Sequence, residues 1–327
     1  MNLYEDIKNT LPSDLFDLVN QAAAIGDLSN QNVYLVGGAV RDLLLKAPYY
    51  DIDLAVDGNA IILAEKFAAQ TGGKIITHAL FNTATVKMGK WSIDFAMLRE
   101  ETYERPGALP TVKPGTLETD LFRRDFTINA MAIDLNKKRY GELIDLYDGV
   151  EDLENHIIRV LHPNSFTDDA TRIWRAFRYE QRLGFTIESD TKMFLRRDIK
   201  MLLSVGGFRL RHELMMVLQE KEPEKTLLRL DRFRVLNSVH PALRTDKWIE
   251  SMFKRIRETG KGHHIPSDAY LALLAYRLPE LELTEIVKYL RLSKEQLIMI
   301  NKCRLLKLDL FDPTGSYVEL SRLLQSV

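Results

Sequence analysis

The stretch Tyr34-Leu35-Val36-Gly37-Gly38-Ala39-Val40-Arg41-Asp42, followed by Asp51-Ile52-Asp53, decides the architecture. Val33 to Val36 is a short β-type run that ends on two glycines, and Ala39 to Leu45 then carries helical spacing. A strand that turns through Gly37-Gly38 into a helix leaves free backbone N–H groups at the helix N-terminus, where no side chain blocks a phosphate oxygen. Gly37, Gly38 and Arg41 therefore form a candidate nucleotide-binding cradle. Asp51 and Asp53 stand two apart on a predicted strand, so both carboxylates project from one face and can hold a divalent cation between them. Hard oxygen ligands beside a phosphate cradle suit Mg²⁺ and phosphoryl or nucleotidyl transfer. The plainer alternative is a glycine turn next to two exposed strand residues; the order strand, Gly-Gly, helix, Asp-x-Asp strand favours the cradle.

Working outward, further β-type runs occur at Lys74 to Thr77, Ala84 to Met88, Ser92 to Met97 and Ala130 to Asp134, with a helical stretch at Ala60 to Thr71. This half reads as α/β. After about Asp148 the spacing becomes helical, as in Ile173, Ala176, Phe177 and Leu183, so the remainder reads as all-α. Ser293 with Gln296 fits a capping box, and Ser267 with Asp268 precedes the apolar run Tyr270 to Tyr276. Seams are expected at Asn136 to Gly141, around Pro223 and around Gly260 to Pro266.

Composition sets the outer bounds. The 327 residues are 46% hydrophobic and 28% charged, as in an ordinary globular protein. No apolar run approaches the roughly 20 residues that span a bilayer, and Glu5, Asp6 and Lys8 stand where a secretory signal would be apolar. A cytoplasmic location without membrane contact is the expectation. Cys303 is the single cysteine, which excludes an intrachain disulfide and a multi-thiolate zinc site. Net charge is −1, yet from Glu220 onward 19 Lys and Arg face 15 Asp and Glu, a mild tilt that permits a polyanionic partner.

Three more clusters carry possible chemistry. Asp94 lies on the predicted strand Ser92 to Met97 between apolar neighbours; a metal shared with Asp51 and Asp53 would give it a partner, and a solvent-facing strand residue is the alternative. In Arg123-Arg124-Asp125-Phe126-Thr127-Ile128-Asn129, paired arginines can neutralise a triphosphate, while Asp125 and Asn129, four apart, can hydrogen-bond a ribose together; a surface ion-pair patch is the alternative. In Asp168-Asp169-Ala170-Thr171-Arg172, continuing through Arg175, Arg178 and Arg182, a helix would make Asp169 and Arg172 neighbours at i and i+3, an acceptor beside a planar donor fork. Helix-surface salt bridging is the usual meaning of such a pattern.

These residues in this order, with Asp148-Gly149, Asp152-Leu153 and Arg209-Leu210-Arg211-His212-Glu213-Leu214, resemble the class II tRNA nucleotidyltransferases and their bacterial poly(A) polymerase relatives. The resemblance runs from about Tyr34 to Leu218. It implies an α/β head (1–137) with a polymerase-β-like nucleotidyltransferase sheet, an all-α neck (138–220), and a helical body and tail (221–327) that hold tRNA. It implies that Asp51 and Asp53 bind Mg²⁺; the reading of the strand adds Asp94 as a third candidate catalytic carboxylate. Arg123, Asp125 and Asn129 would handle triphosphate and ribose; Asp169 and Arg172, followed by Arg175 and Arg178, would bind the base end of the nucleotide.

That last role is chemically consistent. Cytosine and adenine each present a ring-nitrogen acceptor beside an exocyclic amine, which suit a guanidinium and a carboxylate. Uracil and guanine present the reverse. The implied reaction is attack of the tRNA 3′-hydroxyl on the α-phosphate of CTP or ATP with release of pyrophosphate, and no partner protein is implied. Relatives that add CCA, CC or A share these motifs. A poly(A) polymerase and a catalytically silent RNA-binding protein are the rivals, although a binding module has no need to hold Asp51 and Asp53 together. Residues Glu100 to Leu121 correspond to a flexible loop that in relatives permits adenosine addition. The family commonly has Glu-Asp at Asp168-Asp169, often Pro at Ala170, and a glycine at Asn82, where a stiffer turn is expected here. His240, His263 and His264 lack the following Asp of an appended phosphohydrolase, so no such second activity is expected.

Overall fold

The computed structural model describes residues 1–48, 50–102, 111–260 and 262–305. These fall into two compact units, one up to residue 163 and one from residue 164 onward. The first opens with helices α1 (Tyr4–Thr10) and α2 (Ser13–Leu28) and proceeds through β1 (Val33–Val36), α3 (Gly38–Leu44), β2 (Ile52–Val56) and α4 (Ala60–Thr71). Strands β3 (Lys74–His78), β4 (Thr83–Met88) and β5 (Trp91–Met97) follow. A hairpin of β6 (Arg99–Thr102) and β7 (Thr111–Pro114) leads into α5 (Leu117–Phe122), β8 (Met131–Asp134), β9 (Leu143–Asp145) and α6 (Gly149–Glu154). The six runs expected as strands are strands, within one residue at each end.

Seven strands form one mixed sheet in the order β3-β4-β5-β2-β1-β8-β9. All neighbours are antiparallel except β2 and β5, which run parallel with Ile52 opposite Ile93 and Asp53 opposite Asp94. Alternation decides what each face carries. Ile52, Leu54, Ile93 and Phe95 enter the main core with Phe67 and Leu63 of α4 and Leu15 and Val19 of α2. The opposite face carries Asp53 and, beyond it, the smaller cluster of Ala55, Tyr34, Val36, Leu98 and Leu121. Burying the first set fixes the sheet face from which the carboxylates project, because a register slip of one residue would drive Asp53 into the core.

Local signals set the helix ends. Asn59 caps α4 by accepting from the Ile62 N–H at 3.1 Å, and Thr116 and Thr119 form a capping box on α5. Asn82, at φ +45°, occupies the left-handed region that Asn tolerates better than most residues; its Oδ1 accepts from the Ile61 N–H at 3.2 Å and its Nδ2 reaches Met97 Sδ at 3.4 Å. The substitution for glycine thus adds side-chain ties from this turn to α4 and to the end of β5.

The second unit is almost entirely helical: α7 (Ser165–Asp168), α8 (Arg172–Leu183), α9 (Ser189–Asp198), α10 (Gly207–Leu218), α11 (Pro223–Arg232), α12 (Lys247–Thr259), α13 (Ser267–Ala275), α14 (Glu280–Leu290) and α15 (Lys294–Leu305). The expected capping box at α15 is present, with Ser293 and Gln296 exchanging backbone-to-side-chain bonds at 3.0 and 3.2 Å. No described helix is long and apolar enough to cross a membrane. The expected loop at Glu100 to Leu121 is only partly visible, since residues 103–110 lie outside the described residues, as do residues 306–327 of the expected tail.

Candidate active site

Gly37 stands at the end of β1 with φ +72° and ψ −134°, a conformation that glycine adopts without strain. The turn it makes starts α3 and leaves the first N–H groups of that helix without intrahelical partners. A Cβ at Gly37 would lie 3.0 Å from Arg124 Nη1 and 3.8 Å from Asp53 Oδ2, so the missing side chain is what lets the turn, the guanidinium and the carboxylate approach one another.

Asp53 keeps surface open to solvent, yet the protein around it withdraws enough water to push its carboxyl up to about 6. Arg124 pulls against that rise, whereas the charges of Asp94 and Asp51 add to it. Asp94 lies beside Asp53 in the parallel register and accepts a short hydrogen bond from the Thr85 hydroxyl on β4. Like charges crowded around a carboxylate are the donor chemistry that a divalent cation relieves, and Asp51 with Asp53 fit that group. Among the described residues no three His, Cys, Asp or Glu side chains gather as an ion cage, so the pair is the candidate ligand set.

The two neighbouring arginines are set differently. Arg123 directs Nε and Nη2 to Asp120 at 3.0 and 2.7 Å and Nη1 to Glu101 at 3.0 Å. Arg124 donates Nη2 to the other oxygen of Asp120 at 3.0 Å, while its buried Nε has no hydrogen-bond partner. Asp120 is itself buried, and the two guanidiniums overcome the cost of that burial to hold its carboxyl below the ordinary range. The sequence signalled a pair of arginines. It did not signal that Arg124 is the one against Gly37 and Asp53.

Asp125 and Asn129 face together as expected, around a short 3₁₀ turn at residues 127–129 rather than an α-helical one. Asn129 Nδ2 donates to Asp125 Oδ1 at 3.0 Å, and Asn129 Oδ1 accepts from Arg41 Nη1 at 2.6 Å. Arg41 is only 3% exposed and also forks onto Asp42 at 2.8 and 2.9 Å, so its visible role is to tie α3 to this turn.

In the second unit Asp169 and Arg172 do not share a helix. Asp169 is extended, at φ −138° and ψ 97°, and α8 begins only at Arg172. The carboxylate receives Arg209 of α10 at 2.8 Å, and Arg172 donates Nη1 to Ser165 Oγ at 2.7 Å. Arg175 lies over the Tyr179 ring, and Arg178 is buried 3.5 Å from Glu220. Glu213, one turn beyond Arg209 on α10, is buried with Oε2 unpartnered; burial raises its carboxyl, with Arg175, Arg178 and His212 opposing and Asp169 adding to the rise. Arg209 and Glu213 stand in the sequence as part of the motif Arg209 to Leu214 that carries the resemblance, charged at i and i+4 beside the apolar positions Leu210, Leu214 and Val217, a pattern that marks a helix face without naming its partner.

Residues 33–159 match the family described as "Poly A polymerase head domain", and residues 184–247 match "Probable RNA and SrmB- binding site of polymerase A". The chain is 44% identical over 236 residues to the A-adding tRNA nucleotidyltransferase of Geobacter sulfurreducens, covering 71% of this chain and 27% of that protein. It thus spans about a quarter of that relative's length. Other relatives are named CC-adding tRNA nucleotidyltransferase and CCA-adding enzyme. Among solved structures, a CCA-adding enzyme in an apo form matches with a TM-score of 0.81 at 34% identity, over 100% of this chain and 80% of that one. The Thermotoga maritima CCA-adding enzyme complexed with tRNA matches with a TM-score of 0.78 at 31% identity, over 100% and 82%.

Proposed function

Because the chain belongs to the family of class II tRNA nucleotidyltransferases and bacterial poly(A) polymerases, we propose that it transfers CMP and/or AMP, without a nucleic-acid template, to the 3′ end of tRNA. The observation that carries this reading is the approach of Gly37, Asp53 and Arg124, which puts a side-chain-free turn, a carboxylate and a cation at one place. On this reading residues 1–137 act as the catalytic head, 138–220 as a neck that reads the nucleotide, and 221–327 as the body and tail that grip tRNA. A cytoplasmic location follows from that substrate.

The residues have separable roles. Backbone N–H groups at the start of α3 and the Arg124 guanidinium offset the charge of the triphosphate. Arg123, braced by Glu101 and Asp120, keeps Arg124 company and fixes Asp120 beneath it. Asp125 and Asn129 hold each other and present to the ribose. Asp51 and Asp53 would hold Mg²⁺, which when bound activates the attacking hydroxyl and stabilises the departing pyrophosphate. Asp169 accepts the exocyclic amine of cytosine or adenine, and Arg172 donates to the adjacent ring nitrogen.

Three of the relatives, at 44, 41 and 36% identity, are A-adding enzymes, which favours AMP as a substrate. The test uses tRNA transcripts ending before CCA, after C and after CC, with labelled CTP and ATP supplied separately and together. One AMP added to the transcript ending in CC supports A addition, and CMP added to the shortest transcript supports CC or CCA addition. Long adenosine tails on generic RNA would move the assignment to poly(A) polymerase, and no transfer with any transcript would reject it.

A further inference from the structure

Every hydrogen bond that the Asp169 side chain accepts among the described residues falls on one of its two carboxylate oxygens. Oδ1 accepts from the Thr171 N–H at 3.0 Å, the Thr171 hydroxyl at 2.7 Å and Arg209 Nη2 at 2.8 Å. None reaches Oδ2. The side chain remains 22% exposed, so Oδ2 can meet an outside donor. The donors come from two separate elements, Thr171 from the turn before α8 and Arg209 from α10.

A carboxylate attached through one rotatable bond can present either oxygen, and the two are chemically equal until something distinguishes them. Three donors on Oδ1 use up its acceptor capacity and penalise any rotation that exchanges the oxygens, because rotation would abandon all three bonds at once. What is left is a single acceptor in a fixed direction. An exocyclic amine satisfies it. A base carbonyl at the same place brings two acceptors together with no proton between them, which is the discrimination that a selector of C and A over U and G requires.

We propose that Thr171 and Arg209 are positioning residues for base choice, acting through Asp169 by holding Oδ1 so that Oδ2 alone reads the incoming nucleotide. The proposal rests on the reading of Asp169 as the base-selecting carboxylate. Thr171 matters through its hydroxyl, and Arg209 through a guanidinium reaching back from the next long helix but one.

The experiment measures kcat/KM for each of the four nucleoside triphosphates on a tRNA transcript, for the full chain and for Thr171→Val, Thr171→Ser, Arg209→Met and Asp169→Asn, with the melting temperature of each variant recorded. Thr171→Val conserves shape and removes one donor; Thr171→Ser restores it. The expected result is a preference for the cognate nucleotide over UTP reduced about tenfold in Thr171→Val and in Arg209→Met, the factor appropriate to one lost hydrogen bond. Thr171→Ser should recover most of the preference. A uniform loss for all four nucleotides, with the preference unchanged, would mean that Thr171 and Arg209 merely support the fold and would overturn the proposal. If Asp169→Asn alters base choice while Thr171→Val and Arg209→Met do not, the proposal fails and the role of Asp169 stands. If Asp169→Asn also leaves base choice untouched, both fall.

Discussion

Asp53 on β2 and Asp94 on β5 stand opposite one another in the only parallel pairing of the seven-stranded sheet. Their shared position bears on the charge of the site, because Asp94 and Asp51 add to the rise that burial imposes on the Asp53 carboxyl. Asp51→Ala combined with Asp53→Ala should lower nucleotide transfer by at least about 10³-fold while tRNA binding survives, checked by single-turnover transfer and filter binding. Retained transfer would remove these carboxylates from the chemistry.

The withdrawal of water from Asp53, with the charges of Asp94 and Asp51 adding to it, has a pH signature in protein free of metal. The Asp53 carboxyl titrates near 6 in the folded chain against an ordinary value of 3.8, so the folded state binds its proton more tightly than the unfolded state does. Its penalty is absent below about pH 4, grows as pH rises from 4 through 6, and is complete above that. Asp53→Asn should therefore raise the melting temperature at pH 8 and leave it nearly unchanged at pH 4, as read by calorimetry in chelator. Equal shifts at both pH values would contradict the assignment.

Gly37→Ala should act on the nucleotide more than on the fold. Its φ of +72° strains any other residue, and the new methyl would press on Arg124 Nη1. The KM for nucleotide should rise about tenfold, the effect of displacing one charge-assisted contact, with a smaller fall in kcat. Steady-state kinetics distinguish this from a general loss of folded protein, which would lower apparent kcat alone.

Asp120→Asn should destabilise by about 3–5 kcal/mol in urea denaturation, since Arg123 and Arg124 would lose the carboxylate that both of them bind. The wild-type contribution has the opposite pH sense to that of Asp53. A carboxyl held below its ordinary 3.8 stabilises the fold fully above that value and loses its effect as pH falls through the lower folded value. Wild type and variant should converge in acid.

Asn82→Ala should cost about 1–2 kcal/mol, combining left-handed backbone strain with loss of the bond to the Ile61 N–H. Asn82→Gly keeps the backbone at ease and loses only the bond, so thermal unfolding should place it between wild type and the alanine variant. A glycine variant less stable than the alanine one would show that the backbone is not what Asn82 serves.

Much of the head was legible in the sequence because alternation is a local property. Ile52-Asp53-Leu54 says which side chains go inward before any neighbour strand is known, and Val36-Gly37-Gly38 announces its own turn. The same locality explains the misreading at Asp169. Spacing of three predicts a helical pair with Arg172, but the helix starts three residues late and the carboxylate turns to Arg209, 40 residues away.

The sequence by itself determined six of the strands, the glycine turn and the outward placing of Asp53 between Ile52 and Leu54, all of which depend on residues within a few positions of one another, and the order of its motifs carried the family resemblance. Only the tertiary structure decided that β2 lies beside β5 in parallel, that Arg124 rather than Arg123 adjoins Gly37, and that Arg209 holds Asp169. Those relationships join segments whose separation along the chain leaves no periodic trace. They are fixed by which apolar faces can be buried together, a property of the whole folded unit that no local window of residues contains.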